Sequence, residues 1–280
     1  MAVLPNNCRP DRSCSTVEDV PGILLSQCRH ERLNASLVAV EPGVAAGCEE
    51  MTKKAGELGL DVISHVSSGQ MMEAGQAMAE LAGSPLALLK AEDLLLSLVG
   101  KYSGVASAAA RARQLAGDVR VVCGGWKKMP LEIKLELRRA LEAGGIDIRI
   151  IDRPFVYVSK NYVRVLGSVA GAMQAAGLLA GRETAIQVSG ETEPIHLEAQ
   201  TAVTLGAKVV FVDTGNLKDL RLVSSHLRDT GLREGAELAF AGGVTLDDLP
   251  GLAAEDVDVV DMGRALIDAP LLDCRYQVMV

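Results

Sequence analysis

From residue 119 to 260 the chain repeats one unit: a short apolar run, then a helical pattern, then another short apolar run. The runs are Val119–Val122, Ile146–Ile151, Phe155–Val158, Thr184–Val188, Lys208–Val212, Glu237–Phe240 and Val257–Val260. Helical patterns over Leu131–Ala143, Gly167–Leu179, Glu191–Leu205, Leu217–Arg228 and Leu246–Ala253 separate most of them. Strands alternating with helices at this spacing specify a parallel sheet covered by helices. Seven runs with short connections favour an incomplete barrel over a doubly wound open sheet. No G-x-G-x-x-G turn opens any βα unit and no Walker A sequence occurs, which argues against the nucleotide-binding sheets.

The segment before this repeat has a different rhythm. Residues 1–30 are polar, with Pro5, Pro10 and Pro21, and read as irregular. Leu33–Val40 alternates as a strand, Glu41-Pro42-Gly43 turns the chain into a helix from about Val44 to Leu58, and Gly59 stops it. Asp61–Val66 and Gln76–Leu81 read as strands around a turn at Ser67-Ser68-Gly69, giving a small α+β unit with one sheet face packed and the other available to a partner. Pro85 opens a Leu- and Ala-rich helical region that reaches Ala116, with a break expected at Ser103-Gly104. The expected architecture is therefore α/β: an irregular segment 1–30, a small N-terminal α+β sandwich domain over 31–115 with its linking helices, and an open (β/α) barrel over 116–280.

Composition narrows the function classes. Hydrophobic residues make up 49% of the 280 positions but aromatics only 3%, so the core must be built from Ala, Val, Leu and Ile, as suits buried parallel strands under Ala-rich helices. A net charge of −8 argues against nucleic acid as a partner. The absence of an apolar run of about 18 residues argues against a membrane span, and the N-terminus lacks a secretory pattern, so a cytoplasmic location is expected. Cys8, Cys14, Cys28, Cys48, Cys123 and Cys274 show no paired metal-ligand spacing and read as reduced thiols. Neither a Ser-His-Asp nor a Cys-His arrangement stands out, and His196 and His226 fall on polar helix faces.

In a βα barrel the chemistry sits on the loops after the strands, with phosphate often held by the last two. Those loops read Ala241-Gly242-Gly243-Val244 and Met262-Gly263-Arg264-Ala265. Glycine allows a backbone to approach a ligand closely, each loop is expected to precede a helix whose free N–H groups suit an anion, and Arg264 adds a counter-charge. Lys127 follows the first barrel strand and faces the mouth. Arg149 places a charge in an apolar run and so needs a partner or a ligand. Asp213 ends its strand, where it can hold a metal or ribose hydroxyls or cap the next helix. Trp126, the only tryptophan, is placed to stack on a flat ring or simply to pack.

Ser103-Gly104-Val105-Ala106-Ser107 resembles the S-G-[IV]-A-[TS] segment of the quinolinate phosphoribosyltransferases, also called nicotinate-nucleotide pyrophosphorylases. Glu41-Pro42-Gly43-Val44-Ala45-Ala46-Gly47 resembles their E-x-G-V-x-A-G turn. Val257 to Leu266, followed by Pro270 and Leu272-Asp273, resembles their closing V-D-x-I-S-x-G-x-L…P-x-L-D. The resemblance runs from about residue 30 to the end. It implies a homodimer in which one subunit's N-terminal domain covers the other's barrel mouth. It also implies a reaction that joins quinolinate to phosphoribosyl pyrophosphate with Mg²⁺, giving nicotinate mononucleotide, pyrophosphate and CO₂.

The chain departs from that pattern at many charged positions. The E-R pair reads Glu92-Asp93. T-R-K-T-x-P reads Gly125-Trp126-Lys127-Lys128-Met129-Pro130, and H-x-H-R reads Ile146-Asp147-Ile148-Arg149. K-D-N-H reads Ser159-Lys160-Asn161-Tyr162, E-V-E reads Gln187-Val188-Ser189, and L-D-N reads Val212-Asp213-Thr214. The resemblance thus assigns Lys127, Arg149 and Asp213 to catalysis, with Asp213 also on metal. It assigns Gly242, Gly243, Gly263 and Arg264 to phosphate, and Trp126, Lys160, Asn161 and Ser189 to substrate. The glycine end is kept while the end that grips two carboxylates has lost cationic groups. The expectation is a divergent phosphoribosyltransferase with an acceptor other than quinolinate; the alternative is a non-catalytic homologue that binds or scaffolds.

Overall fold

A computed structural model of the chain describes residues 20–28 and 30–280. Most of the segment 1–30, including Cys8 and Cys14, lies outside the described residues. Within it Val20–Leu24 is helical (α1) rather than irregular, and Leu25–Gln27 forms a single 3-10 turn.

The N-terminal unit follows as β1 (Leu33–Ala39), β2 (Gly43–Val44), α2 (Cys48–Glu57), β3 (Asp61–His65), β4 (Met71–Met72) and β5 (Ala77–Gly83). Helix α2 starts at Cys48 rather than near Val44, because Gly43-Val44 is drawn into a short antiparallel pair with β4. Strand β1 alternates as the sequence dictates, burying Ala35, Leu37 and Ala39. The antiparallel sheet has the order β12-β1-β5-β3, in which β12 (Cys274–Met279) comes from the far end of the chain. The last residues therefore belong to the N-terminal sheet and not to the barrel, and an assignment of all of 116–280 to the barrel is corrected accordingly.

Helix α3 (Pro85–Ala116) runs 32 residues without the expected break at Ser103-Gly104. Its first half gives Leu88, Ala91, Leu95 and Val99 to the N-terminal core. Its second half gives Val105, Ala106, Ala109 and Ala112 to the barrel core, so the helix is shared by the two units. The Ser103–Ser107 motif serves this joint. The Ser103 hydroxyl accepts the Ala46 amide at 2.9 Å and the Ser107 hydroxyl accepts the Val44 amide at 2.8 Å, seating the Glu41–Gly47 loop on the helix. Gly104 lies under the C-terminal segment, where a Cβ would stand 1.9 Å from the Pro270 carbonyl oxygen.

The barrel continues as β6 (Arg120–Val122), α4 (Leu131–Ala143), β7 (Phe155–Val158), α5 (Lys160–Leu166), α6 (Val169–Gly177), β8 (Glu183–Val188), α7 (Ile195–Thr204), β9 (Val209–Asp213), α8 (Leu217–Asp229), β10 (Glu237–Ala241), α9 (Leu249–Leu252), β11 (Val259–Asp261) and α10 (Arg264–Ile267). All strand pairs are parallel, in the order β6-β11-β10-β9-β8-β7. The inner strands are buried on both faces, which is why β8, β9 and β10 read as largely apolar runs.

The expected strand Ile146–Ile151 is reduced to one bridge, Asp147 to Val122, so the barrel stays open between this segment and β7. Arg120 takes over there what a strand partner would do: its guanidinium donates to the Ile150 carbonyl at 3.0 Å and lies 3.6 Å from Asp147. The helix expected over Gly167–Leu179 is two helices, because Gly167 ends α5 in the left-handed region and Ser168 caps α6 by accepting from the Gly171 amide. Pro194 delays α7 to Ile195, and the helix expected over Leu246–Ala253 shortens to Leu249–Leu252. Among the described residues no helix is long and apolar enough to cross a membrane.

Candidate functional site

Parallel register brings Val122, Asp213, Ala241 and Asp261 to one level at the C-terminal rim of the barrel. Asp213 and Asp261 flank Ala241, two strand spacings and so about 10 Å apart. Above this rim two cavities, of about 690 and 410 Å³, lie side by side and share Gly124, Lys127, Tyr157, Phe211 and Asp261. The larger is bounded by Lys128, Asp213, Gly242, Gly243, Gly263 and Arg264. The smaller is bounded by Trp126, Arg138, Ile148, Arg149 and Phe155.

The glycine side is built from backbone. Gly242 and Gly243 have φ of +114° and +82°, conformations open only to glycine at little cost. Gly242 also packs on the turn after β9, where a Cβ would stand 2.3 Å from the Gly215 nitrogen. Contrary to expectation this loop does not lead directly into a helix, since α9 begins only at Leu249; Gly263 does stand at the start of α10. Arg264 lines the cavity, but its guanidinium is almost fully exposed and pairs with Asp268 at 3.2 Å.

The aromatic side carries stacked cations. Lys127 Nζ sits 4.8 Å over the Tyr157 ring, the Arg138 guanidinium 4.8 Å over Trp126, and Arg149 5.9 Å from Phe155. Trp126 Nε1 and Arg138 Nε are buried without a hydrogen-bond partner among the described residues. Lys127, Lys128, Arg138, Arg149 and Lys160 make no ion pair among the described residues, whereas arginines such as Arg164, Arg221 and Arg228 are paired with carboxylates. Four of these, Lys127, Lys128, Arg138 and Arg149, line the two cavities and give the mouth of a chain of net charge −8 a locally positive wall.

The carboxylates answer to burial. Burial raises the Asp213 carboxyl above its ordinary value, while the charges of Lys160 and Lys128 oppose it. Its Oδ2 accepts Gln187 Nε2 at 2.7 Å, and Gln187 Oε1 in turn accepts the Lys160 amide at 2.9 Å. Burial also raises Asp261, helped by Asp213 and opposed by the Gly124 amide, which donates to Oδ1 at 2.7 Å, and by Lys127. Burial pushes the Tyr157 phenol up as well, and the two aspartates add to it.

Of the expected site residues, the fold gathers Trp126, Lys127, Arg149, Asp213, Gly242, Gly243, Gly263 and Arg264 around the paired cavities. Arg149 stands exposed on the open barrel edge, not inside a strand. Lys160, Asn161 and Ser189 are not among the lining residues. Asn161 accepts from Arg164, and the Ser189 amide is bound by buried Glu198, which also holds Gly190 and Thr192. Burial would raise the Glu198 carboxyl, but these amides outweigh it and hold it below its ordinary value, so it is a structural clamp on the loop after β8. Sequence reading missed Tyr157, Arg138, Asp261 and Gln187 as site residues. Asp261 had a signal, since it replaces the serine of the closing motif. Arg138 had none, because a polar residue on α4 looks like a solvated face. Cys48, Cys123 and Cys274 are unpaired, with burial lifting each thiol to about 11, which suits inert thiols.

Comparison with known proteins places this geometry. The family model described as the quinolinate phosphoribosyl transferase N-terminal domain matches residues 23–103, and the model of its C-terminal domain matches residues 105–277. The human nicotinate-nucleotide pyrophosphorylase (carboxylating) is 30% identical over 242 residues, covering 85% of this chain and 80% of that protein. The probable enzyme of the same name from Bacillus subtilis is 28% identical over 247 residues, covering 87% and 83%. The nicotinate-nucleotide pyrophosphorylase structure from Francisella tularensis superposes with a TM-score of 0.77 at 19% identity over 92% of this chain and 90% of that one. The structure from Pyrococcus furiosus gives 0.78 at 20% identity over 91% and 71%.

Proposed function

The chain belongs to the quinolinate phosphoribosyltransferase family of enzymes, and from that premise we propose that it transfers a phosphoribosyl group from phosphoribosyl pyrophosphate to a flat heteroaromatic acid other than quinolinate. The observation that carries this reading is the double cavity. A glycine-walled half suits phosphates and an aromatic, cation-lined half suits a ring acid, and the two meet where a bond between their occupants would form.

In this reading the amides around Gly242, Gly243 and Gly263 hold the 5′-phosphate, and Lys127 and Lys128 balance the diphosphate. Phosphoribosyl transfer passes through an oxocarbenium-like state, which Asp213 stabilises from below the ribose while the leaving diphosphate is held by the lysines. Mg²⁺ takes oxygen ligands and is usually held by one or two carboxylates with substrate phosphates and water. Asp213 fits that donor set, since its Oδ2 faces Gln187 while the group stays partly open. Bound there, Mg²⁺ would supply charge to the leaving diphosphate.

The aromatic half supports an acceptor with fewer carboxylates than quinolinate. Trp126 and Ile148 stand where the resemblance carries an arginine and a histidine. A buried charged hydrogen bond that loses one partner typically costs about 2–5 kcal/mol, so two such losses disfavour a dicarboxylate. Lys127, Arg138 and Arg149 still supply charge for one acid group, and Trp126, Phe155 and Tyr157 supply ring contacts.

Calorimetric titration of the protein with phosphoribosyl pyrophosphate is expected to show saturable binding that strengthens with Mg²⁺. Lys127→Ala should weaken it about tenfold or more, as expected for one charged contact of roughly 1.5–3 kcal/mol. No heat at any concentration, with or without metal, would exclude the transferase reading.

A further inference from the structure

The five residues shared by the two cavities mark the place where donor and acceptor meet, and Asp261 is the one carboxylate among them. We propose that Asp261 is the general base of the reaction and that it sets the acceptor class: a ring acid carrying an N–H, of the azole type, rather than a pyridine. The inference rests on the transferase reading above and names its substrate class.

Position, geometry and electrostatics support it: Asp261 ends β11 at the rim of the barrel and lines both cavities. The group is held in place: Oδ1 accepts the Gly124 amide at 2.7 Å, and Oδ2 lies close enough to residue 124 that a Cβ there would stand 2.8 Å from it. The charges of Lys127 and Lys128 act on it without closing into an ion pair. Burial, together with the charge of Asp213, makes it more basic than an ordinary aspartate, which suits proton removal.

The chemistry says what such a group would do. A pyridine attacks through a lone pair and has no ring proton to lose, so it has no use for a base. An azole attacks ribose C1 through its lone-pair nitrogen. The C1–N bond forms as the C1–O bond to diphosphate breaks, and pyrophosphate leaves with that electron pair. The ring, now cationic, gives the N–H proton of its other nitrogen to Asp261, which becomes a neutral acid and later returns the proton to water. The products are a neutral ring riboside 5′-phosphate, pyrophosphate and one proton.

Pyrophosphate release is measured with phosphoribosyl pyrophosphate, Mg²⁺ and single-carboxylate probes: imidazole, pyrazole and benzimidazole carboxylates against nicotinate, with quinolinate as the dicarboxylate. At least one azole acid is expected to turn over tenfold or more faster than either pyridine acid. Asp261→Asn keeps an oxygen for the Gly124 amide and is expected to lower kcat for that azole by about 100-fold or more, with saturable phosphoribosyl pyrophosphate binding retained. Asp261→Ser supplies the second variant should the asparagine protein fail to fold. Pyridine-only turnover, unaltered azole turnover in the variants, or no azole turnover by a protein that binds phosphoribosyl pyrophosphate each overturn the inference. Failure of the wild-type protein to bind phosphoribosyl pyrophosphate instead overturns the proposed function beneath it.

Discussion

Gly104→Ala is expected to destabilise the protein by about 3 kcal/mol, at the upper end of what overpacking a filled core costs. Alanine normally gains up to about 1 kcal/mol over glycine inside a helix, so intrinsic propensity predicts the opposite sign. Geometry decides the outcome. A Cβ at residue 104 would lie 1.9 Å from the Pro270 carbonyl oxygen and 3.0 Å from the Leu272 nitrogen, and both are backbone atoms that cannot rotate away. The Leu272 amide also donates to the Gly100 carbonyl at 3.0 Å, and Lys101 Nζ to the Ala269 carbonyl at 2.9 Å, so the C-terminal segment is tied to this helix face. Thermal unfolding should show a fall in Tm of about 6–10 °C. Gly56→Ala is the control: it is also helical, but nothing lies within 4 Å of its Cβ position, and it should leave Tm unchanged or raise it.

Gly242→Ala should weaken phosphoribosyl pyrophosphate binding about 100-fold, roughly 2.7 kcal/mol, with a smaller effect on global stability. Alanine at φ +114° is strained, and its Cβ would meet the Gly215 nitrogen at 2.3 Å, so the loop after β10 must part from the turn after β9. Gly243→Ala should cost less, because φ is +82° there but no atom lies within 4 Å of the Cβ position. Equal losses from both variants, measured by the same titration, would mean that left-handed strain alone matters and the contact with Gly215 does not.

The barrel was legible because burial on both faces writes itself into sequence. The runs that became β8, β9 and β10 are mostly apolar, broken only by Thr184, Gln187, Lys208 and Glu237, and no tertiary contact was needed to see them. The run Ile146–Ile151, with Asp147 and Arg149 inside it, forms only a bridge. Whether a strand has a neighbour is decided by barrel closure, and here the Arg120 side chain answers the backbone instead. Ser103-Gly104 read as a break because local propensity disfavours both residues in a helix. The reason for keeping them is the close approach of residues 44–46 and 270–272, which are distant in sequence. The return of residues 274–279 to pair with β1 was hidden for the same reason. In the site, the glycine loops, Lys127 and Asp213 were readable from position alone, whereas Asp261 at the end of β11 was passed over. Tyr157 and Arg138 were not readable, since their place depends on which face of a strand or helix meets the mouth. Asn161 and Ser189 were carried over from motif positions, and the fold turns them to Arg164 and Glu198 instead.

The central claim is that one mouth holds donor and acceptor side by side, and it is tested most directly by a crystal structure of the protein soaked with phosphoribosyl pyrophosphate and Mg²⁺. The account predicts the 5′-phosphate on the amides around Gly242, Gly243 and Gly263, with ribose C1 turned toward Asp261 and the cavity beside Trp126 left for the acceptor. Density for the phosphates on the Trp126 side, away from Gly242, Gly243 and Gly263, would contradict it.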